Sequence, residues 1–165
     1  MKRKSTIICI LSISVFILMG CLSSSLHANT KFNILYSEVI GFNKEDRILQ
    51  SIPQNEILFT NNENYKEFTR KYFNSSELLI SNTNIDENKA VLFIQIPSSY
   101  SQINVYRIHD VDIKNNTLTV TLKKDAKIGL DPFFKSKETF RWVSLVEIDK
   151  EQISKNMKII VNKES

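Results

Sequence analysis

Glycine, proline and cysteine are scarce in this chain of 165 residues, at three, three and two copies. So few glycines leave neither a G-x-x-x-x-G-K phosphate loop nor a G-x-S-x-G nucleophile elbow, and two common signatures of nucleotide and ester chemistry are missing. Cys9 and Cys21 both precede residue 22, so the remainder of the chain folds without a disulfide scaffold, a cysteine nucleophile or a thiolate metal site. The longest apolar stretch, Ile7 to Met19, has 13 residues, where about 20 are needed to cross a bilayer. There is no internal repeat and no long low-complexity segment.

What is present begins at the N-terminus. Lys2, Arg3 and Lys4 precede the apolar run, which only Ser12 and Ser14 interrupt, and Leu18-Met19-Gly20-Cys21 closes it. The basic cluster stays on the cytoplasmic side while the run forms a helix in the membrane during export. Its shortness suits a cleaved segment better than a permanent span. This order of parts resembles a bacterial lipoprotein signal peptide whose lipobox is Leu18, Met19, Gly20 and Cys21. The resemblance implies that residues 1–20 are removed, with Gly20 small enough to admit a peptidase and Leu18 filling an apolar subsite. It also implies that the Cys21 sulfur takes a diacylglyceryl group. Two acyl chains hold a protein stably where one binds reversibly. The implied address is the extracytoplasmic face of the cell membrane. Leu22, standing where Asp would retain a lipoprotein, leaves the outer membrane open if the host has two. An ordinary cleaved signal peptide and an uncleaved anchor are the alternatives.

Removing the signal changes the charge. Lys plus Arg number 22 against 18 Asp plus Glu, and loss of Lys2, Arg3 and Lys4 leaves 19 against 18. A near-neutral mature chain has no overall basic footprint for nucleic acid or anionic lipid. Lys123, Lys124 and Lys127 are expected to be solvated turn residues. Residues 22–31 are polar and small, with Ser23-Ser24-Ser25 and Asn29, and read as a flexible tether in which His27 is incidental. Residues 32–165 suffice for one domain with an ordinary core.

Phe32 to Ile40 alternates like a first strand, and Ile57 to Thr60 is a short second one. Thr60 and Glu63 have capping-box spacing, and Tyr65, Phe68 and Tyr72 follow at helical intervals, predicting a helix over 61–73 whose aromatic stripe covers a sheet. Ala90 to Ile96 is nearly continuous in apolar residues, as in a mid-sheet strand buried on both faces, and Pro97 ends it. Ile103 to Ile113 and Leu118 to Leu122 alternate around Lys114-Asn115-Asn116-Thr117, where two asparagines suit a tight hairpin turn. Thr139 to Ile148 puts Phe140, Trp142, Ser144 and Val146 on one face. Asp149 with Gln152 has the spacing to cap a short turn, and Met157 to Val161 completes the strands.

One helix followed by antiparallel strands predicts an α+β fold, a mostly antiparallel sandwich with the helix packed on it. The strand order and apolar positions, from Ile57-Leu58-Phe59 through Tyr65 to Tyr72, Ile85-Asp86, Ala90-Val91-Leu92-Phe93, the hairpin and Val143 to Lys150, resemble the PrcB-like domain. That domain is named after a subunit thought to stabilise an envelope protease complex. The resemblance runs from Ile57 to Val161 and implies an accessory binding role without catalytic residues.

The chemical candidates are few. His109, the sole histidine after residue 31, is followed by Asp110 and Asp112, and strict alternation puts it on the face opposite both, so the three do not converge on a metal without a bulge; a triad of His109 with a remote serine stays open, though no G-x-S-x-G elbow marks one. Asp131, Glu138, Glu147 and Asp149 are scattered beside lysines like solvated faces. Gly129-Leu130-Asp131-Pro132-Phe133-Phe134 reads as a loop whose Phe133 and Phe134 either meet a partner or fold back beside Trp142. The functional expectation is a lipid-anchored, non-enzymatic protein that binds another envelope protein by a sheet edge or loop, with no cofactor, metal or nucleic acid. A binder of a small ligand or cell-wall glycan, with a cleft of Tyr100, Tyr106 and Trp142, comes second, and a hydrolase third.

Overall fold

Along the chain, the computed structural model has β1 (Phe32–Asn43), β2 (Glu56–Phe59), α1 (Asn62–Tyr72), a single-turn α2 (Leu79–Asn82), β3 (Lys89–Pro97), β4 (Gln102–Lys114), β5 (Thr117–Gly129), β6 (Glu138–Asp149), a 3-10 turn (Lys150–Gln152) and β7 (Lys158–Glu164). The residues it describes are 30–43, 52, 54–73, 79–98, 102–129 and 138–164.

The apolar run in β3 explains the architecture. A strand with apolar side chains on both faces has to be covered twice. Val91 and Phe93 pack beneath the helix layer, and Leu92, Ile94 and Ile96 pack against a second sheet. β3 lies inside an antiparallel sheet of order β1-β6-β3-β2, and the second sheet has the order β4-β5-β7. The molecule is thus a single α+β domain in three layers: helix, four-stranded sheet, three-stranded sheet. Phe140, Trp142, Ser144 and Val146 share one side of β6 as the alternation required, and the last three are fully buried.

On the helix side the core is aromatic. Phe68 of α1 stands 5.0 Å from the rings of both Phe59 and Phe93, and Tyr65 meets Phe59 edge-on at 5.4 Å. The Tyr65 hydroxyl donates to the Ile80 carbonyl at 2.8 Å, which ties α2 to α1. The aromatic stripe is therefore core. The helix starts one residue later than the Thr60–Glu63 spacing implied, because the Asn61 side chain accepts from the Asn64 N–H at 2.8 Å and acts as N-cap.

The β4–β5 hairpin closes through Asn115 and Asn116 at φ of 50° and 60°, the pair of positive values a two-residue type I′ turn requires. The sandwich is mostly antiparallel, as expected, and β7 is the strand among the described residues that runs parallel to its neighbour, β5. The reason lies in the loop before it. Asn116 Nδ2 donates to the Asn156 carbonyl at 3.0 Å, the Lys158 N–H donates to the Asn116 carbonyl at 3.0 Å, and the Ser154 hydroxyl donates to Asn116 Oδ1. The chain thus enters β7 beside the start of β5 and can only run in the same direction. Lys123, Lys124 and Lys127 are strand residues of β5 rather than turn residues, and Gly129 is the last residue of that strand rather than part of a loop.

Candidate functional site

Strand polarity sorts the sandwich into two ends. β1 and β3 begin and β6 finishes at one end, and the stitched contacts of Asn116 bring the β4–β5 turn and the start of β7 there too. The opposite end carries Asn43, Pro97, Gln102, Gly129 and Glu138.

The first end holds a mixed-charge cluster. Lys89 Nζ donates to Asp149 Oδ1 at 2.7 Å and lies 3.9 Å from Glu147. The hydrogen bond to Asp149, chiefly, raises the Lys89 ammonium above its ordinary 10.5, against a desolvation that lowers it. Asp149 is thereby engaged with Lys89 and makes no side-chain cap on the 3-10 turn, contrary to the capping expected with Gln152. Beside this pair an open cleft of about 590 Å³ is lined by Asn88, Asp149, Lys150 and Glu151. Both signs of charge line it, so it does not select an anion or a cation.

The most constrained polar group lies on the helix side of β3. Gln95 is the only polar side chain in the apolar run and is 2 % exposed. Its Nε2 donates to the Gln54 carbonyl at 3.1 Å, and its Oε1 accepts from Arg141 Nη1 at 2.7 Å. Burial lowers the Arg141 guanidinium from its ordinary value. The Gln95 N–H also donates to the Asn55 carbonyl at 2.8 Å, so one residue fastens the segment leading into β2 to the central sheet. Sequence reasoning passed over this group. Its one local signal was an amide in an otherwise apolar strand, which has to be hydrogen-bonded when buried.

His109 is where strict alternation misleads. The register shifts between Ile108, opposite Leu122, and Asp110, opposite Thr121, so His109 is the extra residue of a β-bulge. Ile108 and Val111 both face the core, which leaves His109 and Asp110 together on the outer face with Asp112. The three share a face rather than lying on opposite ones. Even so, no group of three or more His, Cys, Asp or Glu among the described residues could hold a metal ion. Ser144, fully buried between the sheets, donates its hydroxyl to the Tyr36 carbonyl at 2.8 Å, on the other side of the outer sheet from His109.

Trp142 is fully buried and Tyr106 packs edge-on against it at 5.7 Å, so these two form core rather than the walls of a cleft. The Trp142 indole N–H and the Ser98 hydroxyl are buried without a hydrogen-bond partner among the described residues. Both lie on the inter-sheet side near the second end, since Ser98 bonds to Phe140, two residues from Trp142. Leu18, Met19, Gly20, Cys21, Tyr100, Asp131, Phe133 and Phe134 lie outside the described residues, and so do residues 22–29. Among the described residues no helix is long and apolar enough to cross a membrane.

One edge of the outer sheet is open. β7 pairs only with Thr117 to Lys123, while β4 runs alongside β5 as far as Gly129. From Lys124 to Gly129 every residue is exposed, Ile128 by 50 %, and the side away from β4 has no strand partner among the described residues. Compared with protein-family models, with curated proteins and with solved structures, the chain matches none of them.

Proposed function

We propose that this chain is a membrane-anchored extracytoplasmic lipoprotein that serves as a non-enzymatic accessory to another envelope protein, in keeping with its resemblance to the PrcB-like subunit of a protease complex. The observation that carries the reading is the N-terminal series of Lys2-Arg3-Lys4, the 13-residue apolar run and Leu18-Met19-Gly20-Cys21. The open half of β5 supports the binding role. An extended segment of a partner laid beside Lys124 to Gly129 would find unpaired backbone groups there and continue the outer sheet in line with β7. Phe133 and Phe134, a few residues further along the chain, are the apolar contacts proposed for the same partner.

Two experiments test this. Radiolabelled palmitate should enter the wild-type protein and not a C21S variant, and an unlabelled wild type would end the anchoring claim. Crosslinking in the cells that make the protein, followed by mass spectrometry, should recover an envelope protein joined near residues 124–134. A second reading, binding of a small ligand or glycan, draws on the Ser98 hydroxyl at one end of the sandwich, which has no hydrogen-bond partner among the described residues. Copurification of a small molecule with no crosslinked partner would favour it.

A further inference from the structure

The near-neutral total conceals local clusters of cations: Lys124 and Lys127 are exposed on the far half of β5, where Asp125 pairs with Arg107, and a second cluster lies at the opposite end. The β4–β5 turn and the loop into β7, joined through Asn116, place Lys114, Lys155 and Lys158 at one tip, all three exposed. No acid occurs between residues 113 and 118 or between 153 and 158. Exposed Asn115, Ser154 and Asn156 complete a polar, cationic surface. The central-sheet half of the same end differs, for there Lys89 is paired with Asp149, and Lys150 stands beside exposed Glu87 and Glu151.

That tip is also the end from which the chain leaves toward Cys21. β1 begins there, at Phe32, and Thr30 just before it is already buried at 5 % exposure. Nine peptide units from Cys21 to Thr30 reach at most about 32 Å. The 12 residues of β1 span about 40 Å, so the opposite end lies farther from the tether's exit than the tether can run back.

We infer that the tip carrying Lys114, Lys155 and Lys158 lies against the anionic phospholipid headgroups of the membrane that anchors the chain. The open β5 edge is thereby held out from the bilayer, from about 23 Å at Lys124 to about 40 Å at Gly129, where a partner can reach it. This rests on the lipid-anchor reading. Each lysine close to an anionic surface strengthens the association about fivefold, so three acting together bias orientation even though the acyl chains provide the hold. The charge is effective only within about a Debye length, some 8 Å at physiological salt, which the tether's attachment at this end makes possible.

The test uses the full, acylated protein carrying one fluorophore on an introduced cysteine, at Asn156→Cys for the tip or Gly129→Cys for the far end. A Cβ at Gly129 would meet nothing within 4 Å, and the Asn156 side chain is exposed, so neither change disturbs packing. Cys9 leaves with the signal and acylated Cys21 takes no label. Energy transfer to a headgroup-labelled lipid is read in vesicles of phosphatidylcholine alone and of phosphatidylcholine with phosphatidylglycerol. Transfer from position 156 should exceed that from 129 in the anionic vesicles, and the difference should shrink in high salt and in the K114E/K155E/K158E variant. Equal transfer from the two positions, or a difference unchanged by phosphatidylglycerol, would overturn the inference while leaving the anchor intact. Protein that stays off both kinds of vesicle, or whose Cys21 accepts the thiol label, would overturn the anchor itself and the orientation with it.

Discussion

Replacing Gln95 with leucine keeps the volume of the side chain and removes its hydrogen bonding, which makes it the sharpest probe of the buried polar group in β3. Two interactions go at once: the bond to the Gln54 carbonyl and the charge-assisted bond from Arg141. A buried acceptor left unsatisfied costs about 1–3 kcal/mol, and a hydrogen bond to a charged group contributes about 1.5–3 kcal/mol. Leucine regains part of this, because burying it in place of an amide is favoured by about 1 kcal/mol. The expected loss is about 2–4 kcal/mol, a large share of a typical domain's stability. Urea unfolding, with the m-value unchanged, is the assay. Truncating Arg141 in the same background separates the two parts. Once Gln95 is gone, Arg141→Met should cost less than it does in the wild type, with a coupling of about 1.5–3 kcal/mol in the double-mutant cycle. A Gln95→Leu protein with the urea midpoint of the wild type, or a cycle with no coupling, would show that the amide is incidental and that the segment entering β2 is held by other contacts.

Asn116→Ala should destabilise by about 2 kcal/mol, because it strains a residue at φ of 60° and breaks the tie to Asn156, whereas Asn115→Gly should be near neutral; thermal unfolding distinguishes them. Burial pushes Tyr65 up to about 12, outweighing a hydrogen bond with Thr83. A phenol whose folded value is raised confers stability that is intact below about pH 10 and lost as pH rises toward 12, so Tyr65→Phe should flatten the alkaline decline while costing about 1 kcal/mol at neutral pH, read by urea midpoints across pH 8 to 12. Lys89 is likewise raised, so its contribution is whole below 10.5 and disappears as pH climbs through the higher folded value. Asp149→Asn should weaken that dependence, with Glu147 and Asp86 still acting on the ammonium, without unfolding the domain. Phe93→Ala, which empties a fully buried site against Phe68 and Phe73, should cost about 3–5 kcal/mol by the same unfolding assay.

Short-range pattern was enough for much of this molecule. The sequence alone determined that Asn115-Asn116 closes a hairpin, that Tyr65, Phe68 and Tyr72 bury one helix face, and that the run in β3 is covered on both sides, since each depends on neighbours a few positions apart. It also carries Leu18-Met19-Gly20-Cys21, on which the proposed anchor rests. Only the tertiary structure decided the rest. A single extra residue at the bulge turns His109 onto the face of Asp110 and Asp112, and alternation cannot register an insertion that is visible only against the partner strand. Gln95 finds Arg141 and Gln54 at separations of 46 and 41 positions, pairings set by sheet order. Lys114 shares a tip with Lys155 and Lys158 because Asn116 joins the β4–β5 turn to the loop into β7. Charge adds along a sequence regardless of order, but an electrostatic surface depends on which residues the fold brings within a Debye length of one another.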